Sequence, residues 1–200
     1  MPENTTEFGD LLDKVLDPVL WVVTARSGYE QSGLIANFVH KASLVPDLPR
    51  ILVAIARHHH TWSAIENSRS FAVHIVGEAR LEWVSRFGLR SGRNVDKFTG
   101  LQTRRGITGA PLLEEAVLWM ECRVEASLGT GDRTIYVAEV VSAGTGADDT
   151  PLRLKRMLEL LPADQRSELQ CMLAKDIAVD SAAIRAWRVG KEKPVRLDAP

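Results

Sequence analysis

The stretch Arg57-His58-His59-His60-Thr61 concentrates chemistry: a guanidinium, three imidazoles and a hydroxyl at the end of an apolar run. Such a segment can be a solvated turn, with Thr61 capping the helical pattern that follows. It can also hold an anion through charge-assisted hydrogen bonds. Three consecutive histidines suggest metal, but successive side chains of an extended chain point to opposite faces. At most two could then meet one ion without a sharp turn, and no carboxylate or cysteine adjoins them, so no native metal site is expected. His40 and His74 fall in strand patterns and read as satisfied strand histidines. No Ser–His–Asp ordering, carboxylate pair or glycine-rich phosphate loop ending in Lys-Ser/Thr occurs. So few acid–base candidates suit chemistry that a bound cofactor carries and the protein orients.

The 200 residues, 45% of them hydrophobic, suit one domain with or without an extension. A net charge of −1 with intermixed signs gives no basic face for nucleic acid. No stretch approaches roughly 18 uninterrupted apolar residues, which argues against a membrane helix. Met1 to Asp10 is polar and acidic, unlike a signal peptide. Cys122 and Cys171 are far apart, form no CxxC or zinc pattern, and read as reduced thiols of a cytoplasmic protein.

The elements that must position these residues are mostly strands. Thr6 to Leu16 has the spacing of a short helix, ended by Asp17-Pro18. Val19 to Ala25 reads as a strand before a Ser27-Gly28 turn, and Gly33 to Leu44 as a second strand. Ile51 to Ala56 is apolar throughout, as in a strand buried on both sides, and Phe71 to Val76 is another strand. In Ala116 to Ala126, Leu118, Met120, Cys122, Val124 and Ala126 share one face and Glu121, Arg123 and Glu125 the other. Leu128 to Asp132 is a turn signal, and Thr134 to Val141 runs back as the hairpin partner. Trp62–Asn67 and Leu81–Phe87 look helical between strands. The class is mainly β with helices, a closed antiparallel barrel.

After Gly144-Thr145-Gly146 the period becomes helical. Thr150-Pro151 is a start signal, Pro162 an interruption, and a long helix is expected from about Ala163 to Trp187. Its apolar face would carry Leu169, Met172, Leu173, Ile177, Ile184 and Trp187. The expected division is 1–147 barrel, 148–189 helical extension and 190–200 disordered tail. Trp62, Trp83, Trp119 and Trp187 read as core or interface anchors.

Several short motifs, in order, resemble the flavin reductase-like family, whose fold is a split barrel. They are Val22-Val23-Thr24-Ala25, Gly33-Leu34-Ile35-Ala36-Asn37-Phe38, Ser43, Pro49 and Ile51 to Ile55. Arg57 to Thr61, Asp96-Lys97-Phe98, Gly109-Ala110-Pro111-Leu112-Leu113, Leu118 to Cys122 and Gly131-Asp132-Arg133-Thr134-Ile135 follow. The match covers about residues 18 to 143. The chain departs from the family at Ile35 and Asn37, where Thr and Ser are common, and at Arg133, where histidine is.

The resemblance implies an FMN-binding oxidoreductase, with hydride passing from NAD(P)H to the flavin in a homodimer. It implies Ile35, Ala36 and Asn37 along the ring, and Ser43, Arg57, His58, His60 and Thr61 around the phosphate. Lys97 and Phe98 would close over the flavin edge, and Arg133 would lie on the nicotinamide side. Arg133 cannot switch protonation near neutral pH, which favours an alternative: an FMN-binding electron carrier or sensor with a protein redox partner and no nicotinamide turnover. A third reading is a barrel that has lost flavin and serves as a scaffold, for which Ile35 is the hint.

Overall fold

The computed structural model describes residues 11–191, apart from Asp13 and Asn94. The start of the helix expected from Thr6 and the end of the expected disordered tail therefore lie outside the described residues. Residues 11–12 and 14–15 are helical.

Seven strands form one antiparallel sheet in the order β2-β1-β5-β8-β9-β4-β3. They are β1 (Trp21–Ser27), β2 (Glu30–Ala36), β3 (Val39–Lys41), β4 (Arg50–Ala56), β5 (Ser70–Ile75), β8 (Leu118–Gly129) and β9 (Arg133–Thr145). The short pair β6 (Thr103–Arg105) and β7 (Pro111–Leu113) stands apart from it. The two edge strands, β2 and β3, are consecutive in the chain and joined only by Asn37 and Phe38. A link of two residues reaches about 10 Å, so the sheet curls until its edges meet, as a split barrel. The expected single strand Gly33–Leu44 breaks at that seam. Ala36 still pairs with Trp21 of β1, whereas Val39 pairs with Val53 of β4.

β1 is buried on both faces. Val23 faces the barrel interior with Val53, Ile55, Phe71, Val73 and Tyr136. Val22 faces an outer cluster with Trp83, Val84, Phe87, Leu152 and Met157. Helix α1 (His60–Ser68) seals the interior with Ala64 and Ile65. It ends at Arg69, whose left-handed φ of 52° lets its N–H close on the Ile65 carbonyl. Helix α2 (Glu82–Gly88) supplies Trp83, Val84 and Phe87 to the outer cluster.

Glu121 lies opposite Cys122 across the strand, as alternation requires, on the face it shares with Ala72. It is nevertheless buried, because the segment between β6 and β7 covers that face: its carboxylate accepts hydrogen bonds from the Thr108 N–H (2.9 Å) and hydroxyl (2.8 Å). One expectation needs correction: Thr150-Pro151 does not start a helix, because that segment is extended. Leu20 N–H donates to Leu152 O (2.9 Å), Leu152 N–H to Val76 O (2.8 Å) and Val76 N–H to Leu20 O (3.1 Å). Helix α3 (Leu154–Leu160) begins only beyond this ring of bonds.

Helix α4 runs from Ala163 to Lys191. Leu169 packs on the outer cluster and Asp180 is buried, whereas Leu173 and Ile177 are 50% and 64% exposed, against the expected face. The helix meets the β8–β9 turn at Gly131, whose φ is +96°. A Cβ there would stand 2.6 Å from Trp187 Cβ and 2.8 Å from the Ala183 carbonyl, so only glycine admits this approach.

Candidate functional site

The seam of the barrel carries the candidate site. Where β2 and β4 end, Leu34–Phe38 and Ala54–Ala56 line a groove of about 50 Å³, closed off by His59 and Arg133. Ala36, Ala54 and Ala56 keep its walls low, so the strand backbone is approachable by a flat ring. Ile35 is half-buried and packs toward Gly88 of α2, leaving its main chain as its contribution to the groove. Arg133 spans the opening, 5.1 Å from the Phe38 ring centroid. Its guanidinium is paired with Asp132 (3.1 Å) and with Asp180 of α4 (2.7 Å).

The Arg57–His60 segment is a true turn, fixed by Arg57 N–H on Asp132 O (2.8 Å) and His59 N–H on Ala56 O (3.1 Å). It distributes its side chains in different directions. Arg57 lies over the Trp62 ring, 5.2 Å from the centroid. His58 faces α4, with Nε2 3.2 Å from Asp176 and Nδ1 3.6 Å from Asp180. His59 is the residue before the helix and lines the groove. Burial, reinforced by His58, pushes its imidazole down to about 4, so it is neutral at ordinary pH. His60 turns the other way, toward Glu30 at 3.9 Å, into a second, open cleft of about 610 Å³. Tyr29, Gln31, Gly92, Arg93 and Asp96 share that cleft.

The other expected residues lie deeper or farther off. Thr61 does not cap the helix; it is buried, its hydroxyl 2.8 Å from that of Ser32. Lys97 is 6% exposed and its ammonium donates to Gly33 O (2.9 Å) and Phe87 O (3.0 Å). Desolvation brings its pKa down to about 8. Phe98 is held edge-on to Phe87 at 5.6 Å in the outer cluster. Lys97 and Phe98 thus support the floor of β2 and do not reach over an edge. Ser43 lies in the β3–β4 loop, where its hydroxyl accepts the Val45 N–H at 3.1 Å, and it lines neither cleft.

Sequence reasoning missed Phe38, Arg93, Asp176 and Asp180. The two aspartates stand one helical turn apart on the face of α4 that meets the barrel. The stripe 169-172-176-180-183-187 has helical spacing, but two of its members are acidic, so an apolar-only search passes over it.

A split barrel with a small-residue groove at its seam and an arginine across the opening is the architecture of a flavin-binding module. The model described as "Flavin reductase like domain" matches residues 12–158, and the chain belongs to that family. It is 32% identical over 126 residues to a ferric-chelate reductase (NAD(P)H) of Archaeoglobus fulgidus, covering 62% of this chain and 73% of that one. It is also 32% identical over 143 residues to the FMN reductase (NADH) RutF of Pseudomonas syringae, covering 70% and 78%. Some relatives are longer: the chain spans 24% of a putative diflavin flavoprotein A 3 of Nostoc. Among solved structures, a flavin reductase domain protein from Arthrobacter superposes with a TM-score of 0.66 at 25% identity, covering 75% of this chain and 90% of that one.

Proposed function

We propose that the protein is an FMN-dependent oxidoreductase of flavin reductase type, using NAD(P)H as co-substrate. The observation that carries this is the seam groove, where two strand ends with small side chains leave their backbone open beside the guanidinium of Arg133. When bound, FMN supplies hydride acceptance from the nicotinamide and onward electron transfer. The donor set fits it in kind. Main-chain groups of Ile35 and Ala36 and the Asn37 amide serve the ring. Arg57, His60 and the first turn of α1, with Arg93 beside them, serve the phosphate. Thr61 and Lys97 act beneath the site by fixing Ser32 and Gly33 of β2.

A groove of about 50 Å³ is far smaller than the ~300–1,000 Å³ that ligand sites of this size occupy. We therefore place the site at the interface of a homodimer, whose second subunit adds the missing wall. Exposed apolar residues support this: Phe38 in the groove itself, and Leu44 (90% exposed), Val45 and Leu48 in the loop between β3 and β4. We place the protein in the cytoplasm, consistent with the free thiols of Cys122 and Cys171. No helix among the described residues is long and apolar enough to cross a membrane.

A second reading, an FMN-binding electron carrier with a protein partner, is favoured by Arg133, which two carboxylates hold across the groove. One experiment separates the two. FMN-loaded protein is mixed anaerobically with NADH or NADPH while the flavin absorption band is followed. Rapid bleaching is the expected result and identifies the preferred nicotinamide. A bound flavin that neither nicotinamide bleaches would refute the reductase and favour the carrier. Light scattering of the same sample, if it gives a monomer, removes the dimer.

A further inference from the structure

One polar cluster is left over by the flavin reading. His58 Nε2 lies 3.2 Å from Asp176 Oδ1, yet off the line that a hydrogen bond needs, and it is buried without a hydrogen-bond partner among the described residues. Asp180 is 9% exposed, and its Oδ1 is likewise unpartnered. The His58 and His59 rings lie side by side, with centroids 4.3 Å apart. One ligand atom from each of His58, His59 and Asp176 falls within 4.8 Å of the others. Buried polar atoms in folded proteins are satisfied as a rule, and two orphans in one cluster call for an occupant.

We propose that His58, His59 and Asp176 form a binding site for a divalent transition-metal ion of the zinc class, which ties helix α4 to the turn between β4 and α1. Ligand atoms on a tetrahedral ion with bonds of 2.0–2.1 Å stand roughly 3.3 Å apart. The His58–Asp176 pair already has that spacing, and the His59 atom, within 4.8 Å of both, would have to close the remaining distance on binding. The turn is what allows two consecutive imidazoles to converge, while His60 continues the alternation and points away. Two imidazoles with one carboxylate suit zinc and its neighbours and not magnesium or calcium, which prefer all-oxygen sets. Asp180 faces Nδ1 of His58 at 3.6 Å, where an outer carboxylate orients a ligating histidine. Charge agrees as well: the guanidinium of Arg133 is shared between Asp132 and Asp180, and Asp176 faces His58. Three protein ligands leave a coordination position open.

The site stands whether or not the groove binds flavin, so it is tested on untagged, flavin-free, full-length protein after chelator treatment. Co²⁺ is titrated in and followed by its visible d–d absorption, then displaced with Zn²⁺ while the melting temperature is recorded. The expected result is one Co²⁺ per chain, displaced by Zn²⁺, with a higher melting temperature in the loaded state. Affinity should fall by about 30-fold or more in His59→Gln and in Asp176→Asn and hold in His60→Gln. Both weakening substitutions are close in shape and sit at half-buried positions, and circular dichroism verifies that each variant is folded. Absence of saturable d–d absorption in the unmodified protein, or unaltered binding in Asp176→Asn, would overturn the proposal and leave the cluster as an ion-pair contact.

Discussion

The barrel and helix α4 are held by different forces. The barrel buries Val22, Val23, Phe71, Val73 and Trp83 almost completely, in two apolar clusters on either side of β1. Helix α4 buries Leu169 in part but sets Asp176 and Asp180 against the barrel and leaves Leu173, Ile177 and Val179 half or more exposed. Apolar burial is not weakened by electrostatic screening, whereas contacts between charged groups are. The sheet is therefore the rigid part of the molecule, and the placement of α4 is the part that solution conditions can shift.

The largest effect is expected in the barrel. Phe71→Ala removes a fully buried ring that packs 6.4 Å from Tyr136, and should cost about 3–5 kcal/mol in denaturant unfolding. Loss of α4 alone with the sheet intact would break the comparison. Acid should act on the barrel next, through His74. Burial pushes this imidazole down to about 4, with a smaller opposing contribution from its hydrogen bond to Val22 O at 3.1 Å. The unfolded chain takes its proton near pH 6.5. Stability is full above that pH and falls as pH drops through the window down to about 4, by roughly 3 kcal/mol in all. His74→Gln should make this limb of the stability–pH curve shallower, leaving the contribution of His59 over the same window, and an unchanged limb would place the acid sensitivity elsewhere.

Smaller effects separate the helix from the sheet. Gly131→Ala forces a Cβ against Trp187 and strains a left-handed turn, at about 1–3 kcal/mol. Hydrogen exchange and limited proteolysis should then report release of the C-terminal half of α4, with protection of β1 and β5 retained. Equal loss of protection in β1 would mean that the two regions unfold as one. Least of all, Asp180→Asn should cost about 1 kcal/mol by weakening the pair with Arg133, and because the pair is largely buried 1 M salt should narrow the difference without erasing it.

Much of the sheet was legible because its strands obey a period of two or run apolar throughout. The hairpin of β8 and β9, the buried β4 and the strand led by Phe71 all follow from side-chain alternation. What alternation cannot register is a tertiary cover. Glu121 lies on the face that alternation assigns it, but the β6–β7 segment closes over that face and buries its carboxylate. The Thr150-Pro151 signal misled for another reason: its backbone is spent on Leu20 and Val76, a tertiary demand that outweighs local capping preference. At the site, the turn of Arg57 to His60 stood out by composition. Its partners did not, since Asp176 and Asp180 are distant in sequence and were hidden by equating an inward face with an apolar one. Lys97 illustrates the converse, a lysine in a polar stretch that turns inward to satisfy two carbonyls.

The ring of hydrogen bonds through Leu20, Val76 and Leu152 also sets a timetable for biosynthesis. The backbone of the first strand finds its last partner only when Leu152 has left the ribosome, on the order of ten seconds after Leu20 at ordinary rates of translation. During that interval the outer face of β1 lacks the cover that Leu152, Met157 and Leu161 supply. A nascent chain in that condition is a client for chaperones, and slow closure over so long a span is what non-local topology predicts. Errors of synthesis beyond residue 150 would therefore be felt at the opposite end of the polypeptide, in whether its first strand is ever enclosed.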